Sequence, residues 1–285
     1  MKTGLVLEGG AMRGMYTAGI LDVMMEHEIP INGAIGVSAG ALFGVNYLSG
    51  QNGRVIRYNK WFNHDPHYMG ILPLIKEGNI ISTEYAYHDV PCELDVFDDA
   101  AYQKAAEHIP FYAVVTEMES SRPKYVRIRS VYQQMDVLRA SASMPFVSKP
   151  VQLGEHCYLD GGISDSIPFR WMQANGYDRL IVVLTRDLSY RKKPMSRRLI
   201  HTFYRKYPNL EKQLARRHTV YNESVEALKE LEADGHAFVI RPSSPIEIGR
   251  IESDPSKLQA VYELGLKDGA AMLPELMQYL NVCSQ

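Results

Sequence analysis

Twice within its first 45 residues the chain runs from a short apolar stretch into glycine and then into a helix-forming stretch, and few folds accommodate that pattern. The first stretch, Thr3 to Leu7, ends at Gly9-Gly10, and the second, Gly33 to Val37, ends at Ser38-Ala39-Gly40. Each reads as a buried strand, a tight turn and a helix, with the first helix predicted from about Met15 to His27. Consecutive β-turn-α units imply a largely parallel sheet. Further strands are predicted at Phe111 to Val115, Tyr125 to Ile128, Leu180 to Leu184 and Ala237 to Ile240, all short and rich in β-branched or aromatic residues. Apolar residues at three- and four-residue spacing around Leu210 to Leu231 and Lys257 to Tyr279 predict long helices lying on the faces of the sheet. The expected architecture is therefore α/β, a three-layer α/β/α sandwich with a mainly parallel central sheet. With 285 residues, 46% of them hydrophobic, and no internal repeat or low-complexity linker, a single domain over residues 1–285 is expected.

Composition excludes more than it selects. A formal net charge of -2 gives no general reason to invoke nucleic acid. The three cysteines, Cys92, Cys157 and Cys283, match neither a disulfide framework nor a zinc site, which favours a reducing, cytoplasmic setting. The N-terminal residues reach Glu8 and glycine before a signal-like apolar region can form, so no signal peptide is expected. No apolar run approaches the roughly 18 residues needed to span a bilayer. Any membrane contact is then expected to be peripheral, at the inner membrane surface. One local anomaly stands out: residues 186–217 carry eleven Lys or Arg against Asp187 and Glu211, interleaved with Tyr190, Phe203, Tyr204 and Tyr207. This stretch reads either as a solvated, partly helical insertion or as a contact for an anionic surface or lipid headgroup.

Three blocks carry chemistry. Gly36-Val37-Ser38-Ala39-Gly40 fits G-x-S-x-G between a predicted strand and a predicted helix, the setting in which the serine projects from a sharp turn toward a helix N-terminus. Glu8-Gly9-Gly10-Ala11-Met12-Arg13-Gly14 is a glycine-rich loop whose bare amides can face a developing oxyanion. A nucleotide loop ranks below that reading, since Ala11 breaks G-x-G-x-x-G and no Gly-Lys-Ser/Thr ending follows. Asp160-Gly161-Gly162 follows the apolar run Cys157-Tyr158-Leu159, placing an acid at a strand end on a turn, where an ordinary turn aspartate is the alternative. None of the nine histidines has a recognisable catalytic setting. His156 comes nearest and is expected to precede the strand that delivers Asp160, as a surface residue. An aspartate acting alone as base needs burial to become a competent proton acceptor. Asp165 and Arg139 read as solvated or locally paired, and His64-Asp65-Pro66-His67 lacks a metal-ligand set.

In this order the blocks resemble the patatin-like phospholipase family, whose members use a Ser-Asp dyad, and Ala140-Ser141-Ala142-Ser143-Met144-Pro145 looks like that family's Ala-Ser-x-Ser-x-Pro segment. The resemblance covers most of the chain. It implies a patatin-like fold, Ser38 as nucleophile, Asp160 as proton acceptor, and the amides of Gly10 and Ala11 as oxyanion hole. Gly9, Arg13, Gly14, Gly36, Gly40, Gly161 and Gly162 fall on supporting motif positions, with Arg13 either binding substrate charge or, as the preferred reading, bracing the loop. The implied substrate is an acylated lipid, a glycerophospholipid first among them, with neither cofactor nor metal. A short-chain esterase or thioesterase would use the same residues, and a non-enzymatic lipid-binding or membrane-docking protein is the alternative from another class. The sequence departs from the family pattern at two places: Ala11 stands where a third glycine is usual, and Glu8 where aspartate is usual.

Overall fold

Apolar residues that face both ways from one strand decide the layers. In β1 (Thr3–Leu7), Leu5 and Leu7 enter one hydrophobic cluster and Val6 the other. A strand covered on both faces must be apolar throughout, hence its lack of polar alternation. The computed structural model describes residues 1–282, so Cys283 lies outside the described residues. A 3-10 turn over Ala11–Gly14 opens α1 (Met15–Glu26), and β2 (Gly33–Val37) feeds α2 (Ala39–Ser49). Then come α3 (Arg54–Phe62), α4 (Ile71–Glu77), a π-helical stretch over Tyr85–Leu94 and α5 (Asp99–Ala106). The hairpin β3 (Phe111–Glu117) and β4 (Pro123–Ile128) leads to α6 (Met135–Ser141), β5 (Val151–Leu153) and β6 (His156–Asp160). A 3-10 turn over Gly161–Ile163 and α7 (Phe169–Ala174) precede β7 (Arg179–Val183). The remaining elements are α8 (Arg197–Tyr204), α9 (Pro208–Ala233), β8 (Ala237–Ile240) and α10 (Pro255–Val282).

The eight strands form one sheet, in the order β5-β6-β3-β2-β1-β7-β8, with β4 also on β3. From β3 through β2, β1 and β7 to β8 every pairing is parallel, while β4, β5 and β6 pair antiparallel. The mainly parallel α/β sandwich expected from the sequence is thus the observed fold. Helices α1, α2 and α10 pack on one face with Leu5, Leu7, Ile181 and Val183. Helices α7 and α9 cover the other, where Phe169, Met172, Tyr221, Val225 and Leu228 meet Val6, Ile35, Val37 and Val182. Strand β5 is missing from the sequence expectations because three residues are too few to show a period. His156 is corrected: it is the first residue of β6 rather than a residue before it. Among the described residues no helix is long and apolar enough to cross a membrane.

Strand register brings the key residues together. Strand β4 occupies one side of β3 from Phe111 to Thr116, so β2 and β6 must share the other side, end to end. Val37 pairs with Val114 at the end of β2, and Asp160 pairs with Val115 at the end of β6. The residue after Val37 therefore arrives beside Asp160, although the two are far apart in sequence.

Candidate active site

Ser38 sits between β2 and α2 with φ +55° and ψ -122°, a conformation strained for any residue with a Cβ. The turn closes so tightly that a Cβ on Gly36 would fall 2.4 Å from the Gly40 carbonyl oxygen, and one on Gly40 2.5 Å from that of Leu7. The Ser38 amide donates to Ser141 Oγ at 2.9 Å, and Ser141 Oγ donates in turn to the Val114 carbonyl at 2.7 Å. The strained turn is thereby tied to β3 through α6.

Asp160 ends β6 and is 5% exposed, Ser38 7%. Its Oδ1 accepts from the Gly162 amide at 2.7 Å, and its own amide donates to the Ser143 carbonyl at 2.9 Å. Ser141 and Ser143 thus hold the two partners from one short segment. Strand register places Ser38 beside the Asp160 carboxylate, and its hydroxyl is among the groups that pull that carboxyl down. Burial raises the Asp160 carboxyl above the ordinary 3.8, against the lowering pull of Arg217, Ser38 and the Gly162 amide. This is the direction that makes an isolated carboxylate a better proton acceptor.

The glycine-rich loop passes directly over this pair. A Cβ on Gly9 would lie 2.9 Å from Ser38 Cβ, and one on Gly10 2.6 Å from Thr185 Oγ1. Gly14 fits against the Phe43 ring of α2, and Gly161 against the Val114 carbonyl. Ala11 has φ +48°, so the alanine does occupy the left-handed region a glycine would take without cost. The Gly10 and Ala11 amides make no hydrogen bond among the described residues, and both line the cavity at Ser38. Glu8, 3% exposed, accepts from the Thr185 amide at 2.6 Å and from the Tyr221 hydroxyl at 2.7 Å. It joins the ends of β1 and β7 to α9, a task its extra methylene over aspartate helps it reach. Arg13 departs from the preferred reading: its guanidinium makes no hydrogen bond or ion pair among the described residues and lines the cavity instead of bracing the loop.

Two cavities meet at Ser38. One, of about 90 Å³, is walled by apolar groups including Met12, Leu42, Phe43, Tyr87 and Leu138. The other, of about 560 Å³, is polar and holds Asp160, Arg13, Lys192, Arg217 and Arg250. The Arg217 Nε donates to the Gly162 carbonyl, and a Cβ on Gly162 would lie 3.1 Å from the Arg217 guanidinium. Arg217 and Arg250 were not singled out from the sequence. Arg217 does leave a trace there, since it shares the stripe Leu210, Leu214, Tyr221, Leu228 that α9 turns to the sheet, and a charge in such a stripe marks a buried task. Arg250 leaves none, being an exposed loop residue. His218 also lines the polar cavity but, among the described residues, hydrogen-bonds only Thr219, while His156 lies half-exposed near Glu117 and Glu119. Arg139 pairs locally with Asp136 as expected, whereas Asp165 accepts from Tyr125, 40 positions away, rather than from a local partner; His67 pairs with Asp65.

A family model described as patatin-like phospholipase matches residues 5–171, and one described as a domain of unknown function (DUF6363) matches residues 207–281. The uncharacterized protein YjjU of Escherichia coli (strain K12) is 29% identical over 186 residues, 65% of this chain and 52% of that protein. Lysophospholipase NTE1 of Eremothecium gossypii is 26% identical over 287 residues, 96% of this chain but 18% of that protein. The chain thus spans about half of the one and less than a fifth of the other. Among solved structures, VipD from Legionella pneumophila superposes with a TM-score of 0.48 at 13% identity, over 96% of this chain and 67% of that one.

Proposed function

Because the chain belongs to the patatin-like phospholipase family, we propose that it is a serine acyl hydrolase in which Ser38 attacks the ester carbonyl of a lipid and Asp160 takes the serine proton. The observation that carries this reading is the buried Ser38-Asp160 pair, brought side by side by strand register at the junction of an apolar and a polar cavity. An ester placed there has its acyl chain on one side and its polar part on the other. The unengaged Gly10 and Ala11 amides receive the oxyanion, donors worth about 3 kcal/mol each in transition-state stabilisation. Asp160 returns the proton to the leaving alkoxide, and water then attacks the acyl-serine by the same route to release the acid.

Contact with a membrane surface fits α8, where Leu199 and Phe203, 43% and 54% exposed, share the helix with Arg197 and Arg198. Apolar side chains flanked by cations suit the interface of an anionic bilayer. The test is hydrolysis of a chromogenic acyl ester and of mixed phospholipid vesicles by wild type, Ser38→Ala and Asp160→Asn, each checked for folding by circular dichroism. Wild type is expected to cleave both, with a jump in rate on aggregated lipid, and each variant to lose about 10³-fold or more. Near-full activity in folded Asp160→Asn would remove the dyad. A wild type inert on both substrates and unlabelled by a fluorophosphonate would leave lipid binding without catalysis.

A further inference from the structure

The polar cavity beside Ser38 is far more cationic than the proposed hydrolysis requires. Arg13, Arg186, Lys192, Arg217 and Arg250 line it, and among the described residues the only acids on its wall are Glu8 and Asp160. Both acids are committed. Glu8 accepts at both oxygens, from Thr185 and Tyr221, and Asp160 accepts from the Gly162 amide beside Ser38. The side chains of Arg13, Lys192 and Arg250 make no hydrogen bond or ion pair among the described residues. Burial and Arg186 bring the Arg13 guanidinium down to about 10, and burial together with Arg217 holds the Lys192 ammonium well below its ordinary value. Cations gathered in a partly desolvated pocket where two carboxylates face five of them are costly unless something negative balances the excess.

We propose that this cavity is an anion subsite that takes the phosphomonoester group of an acylated substrate, and that residues 207–281 help to build it by supplying Arg217 and Arg250. The proposal rests on Ser38 being the nucleophile, since it places the phosphate on the opposite side of the scissile ester from the apolar cavity. A zwitterionic headgroup suits the pocket poorly. Its ammonium needs a carboxylate or an open aromatic face, and no acid on the wall is uncommitted. The two tyrosine rings are already covered, Tyr221 by the Lys192 ammonium at 3.9 Å and Tyr190 by the Arg186 guanidinium at 4.2 Å. A phosphomonoester instead brings about two negative charges and three acceptor oxygens without a cation of its own.

The experiment compares three substrates with one acyl chain, each below its aggregation concentration: a lysophosphatidate, a lysophosphatidylcholine and a neutral monoacylglycerol. For wild type, kcat/KM on the lysophosphatidate is expected to exceed that on the lysophosphatidylcholine at least about tenfold, the worth of one charge-assisted hydrogen bond. In Arg250→Gln and Lys192→Gln that ratio is expected to fall toward unity, with hydrolysis of a neutral chromogenic ester as the reference in the same preparation. Arg250 is exposed, so its variant folds even if Lys192→Gln does not. Equal rates on the three lipids in wild type overturn the proposal. Competitive inhibition by inorganic phosphate without any lipid preference assigns the pocket to a free anion and overturns the substrate claim as well. A wild type inert on the neutral ester overturns the Ser38 reading instead. Calorimetric titration of glycerol phosphate into that same protein then still decides the subsite, binding sustaining it and no heat removing it.

Discussion

Ser38 pays for its position with backbone strain, on the order of 1–3 kcal/mol for such a conformation, and Ser141 is what holds it there. Replacing Ser141 with Ala removes the only acceptor of the buried Ser38 amide among the described residues. Stability is expected to fall by about 1–3 kcal/mol, the cost of leaving a buried donor unmade, and kcat with it, as denaturant melts and ester hydrolysis would show. If Ser141→Ala keeps both, the strained turn is held by glycine packing alone. Asp160 gives a pH signature. It must be ionised to accept a proton, so activity is lost as pH falls through its raised value, and the acid limb should lie above the ordinary 3.8. The same shift acts on folding with the opposite benefit. A folded-state value above the unfolded one means stability is full at low pH and is lost as pH rises through the raised value. Folded Asp160→Asn should therefore melt at or above wild type at pH 7, the gap closing toward pH 4. A variant that melts well below wild type at pH 7 would contradict this.

Short elements at the strand ends set the geometry. Ala11 keeps an N-H for the oxyanion but holds φ +48°, a left-handed angle that costs a residue with a Cβ about 1–2 kcal/mol. Ala11→Gly should relieve that cost less the added freedom of the unfolded chain, a net gain of about 0.5–1 kcal/mol. Thermal melts would register a rise of about 1–3 °C, and a fall would mean the loop is not strained. At the other end of the site, a Cβ on Gly161 would lie 2.1 Å from the Val114 carbonyl oxygen. The turn that presents Asp160 thus exists only because that position has no side chain. Glycine loops of this kind were legible in the sequence because each sits where a strand hands over to a helix or turn. The pairing of β2 and β6 along one side of β3 was not, since nothing local in Val37 or Leu159 says which strand each will meet.

For the whole molecule, the two matched stretches share one sheet and one core. Strand β8 extends the sheet from β7, and α10 crosses α1 where a Cβ on Gly19 would come within 2.3 Å of the Tyr262 carbonyl oxygen. We propose that residues 1–285 form one domain, so the full chain should melt in a single calorimetric transition. A chain ending before Tyr207 should fail to fold, since it loses α9, β8 and α10; a folded fragment 1–206 would show two domains instead. The basic stretch at 186–217 divides between these roles. Arg186, Lys192 and Arg217 line the cavity, whereas Arg197, Arg198 and Arg205 are exposed around α8. The sequence alone determined the α/β class, the nucleophile and acid candidates and the loop above them, because strand period, glycine turns and motif spacing are local in the chain. Only the tertiary structure decided that Ser141 and Ser143 hold the pair, that Arg13 faces a cavity, and that Arg217 and Arg250 join it there. Those placements depend on register and helix packing between residues up to about 240 positions apart, and long-range pairing leaves no local periodicity to read.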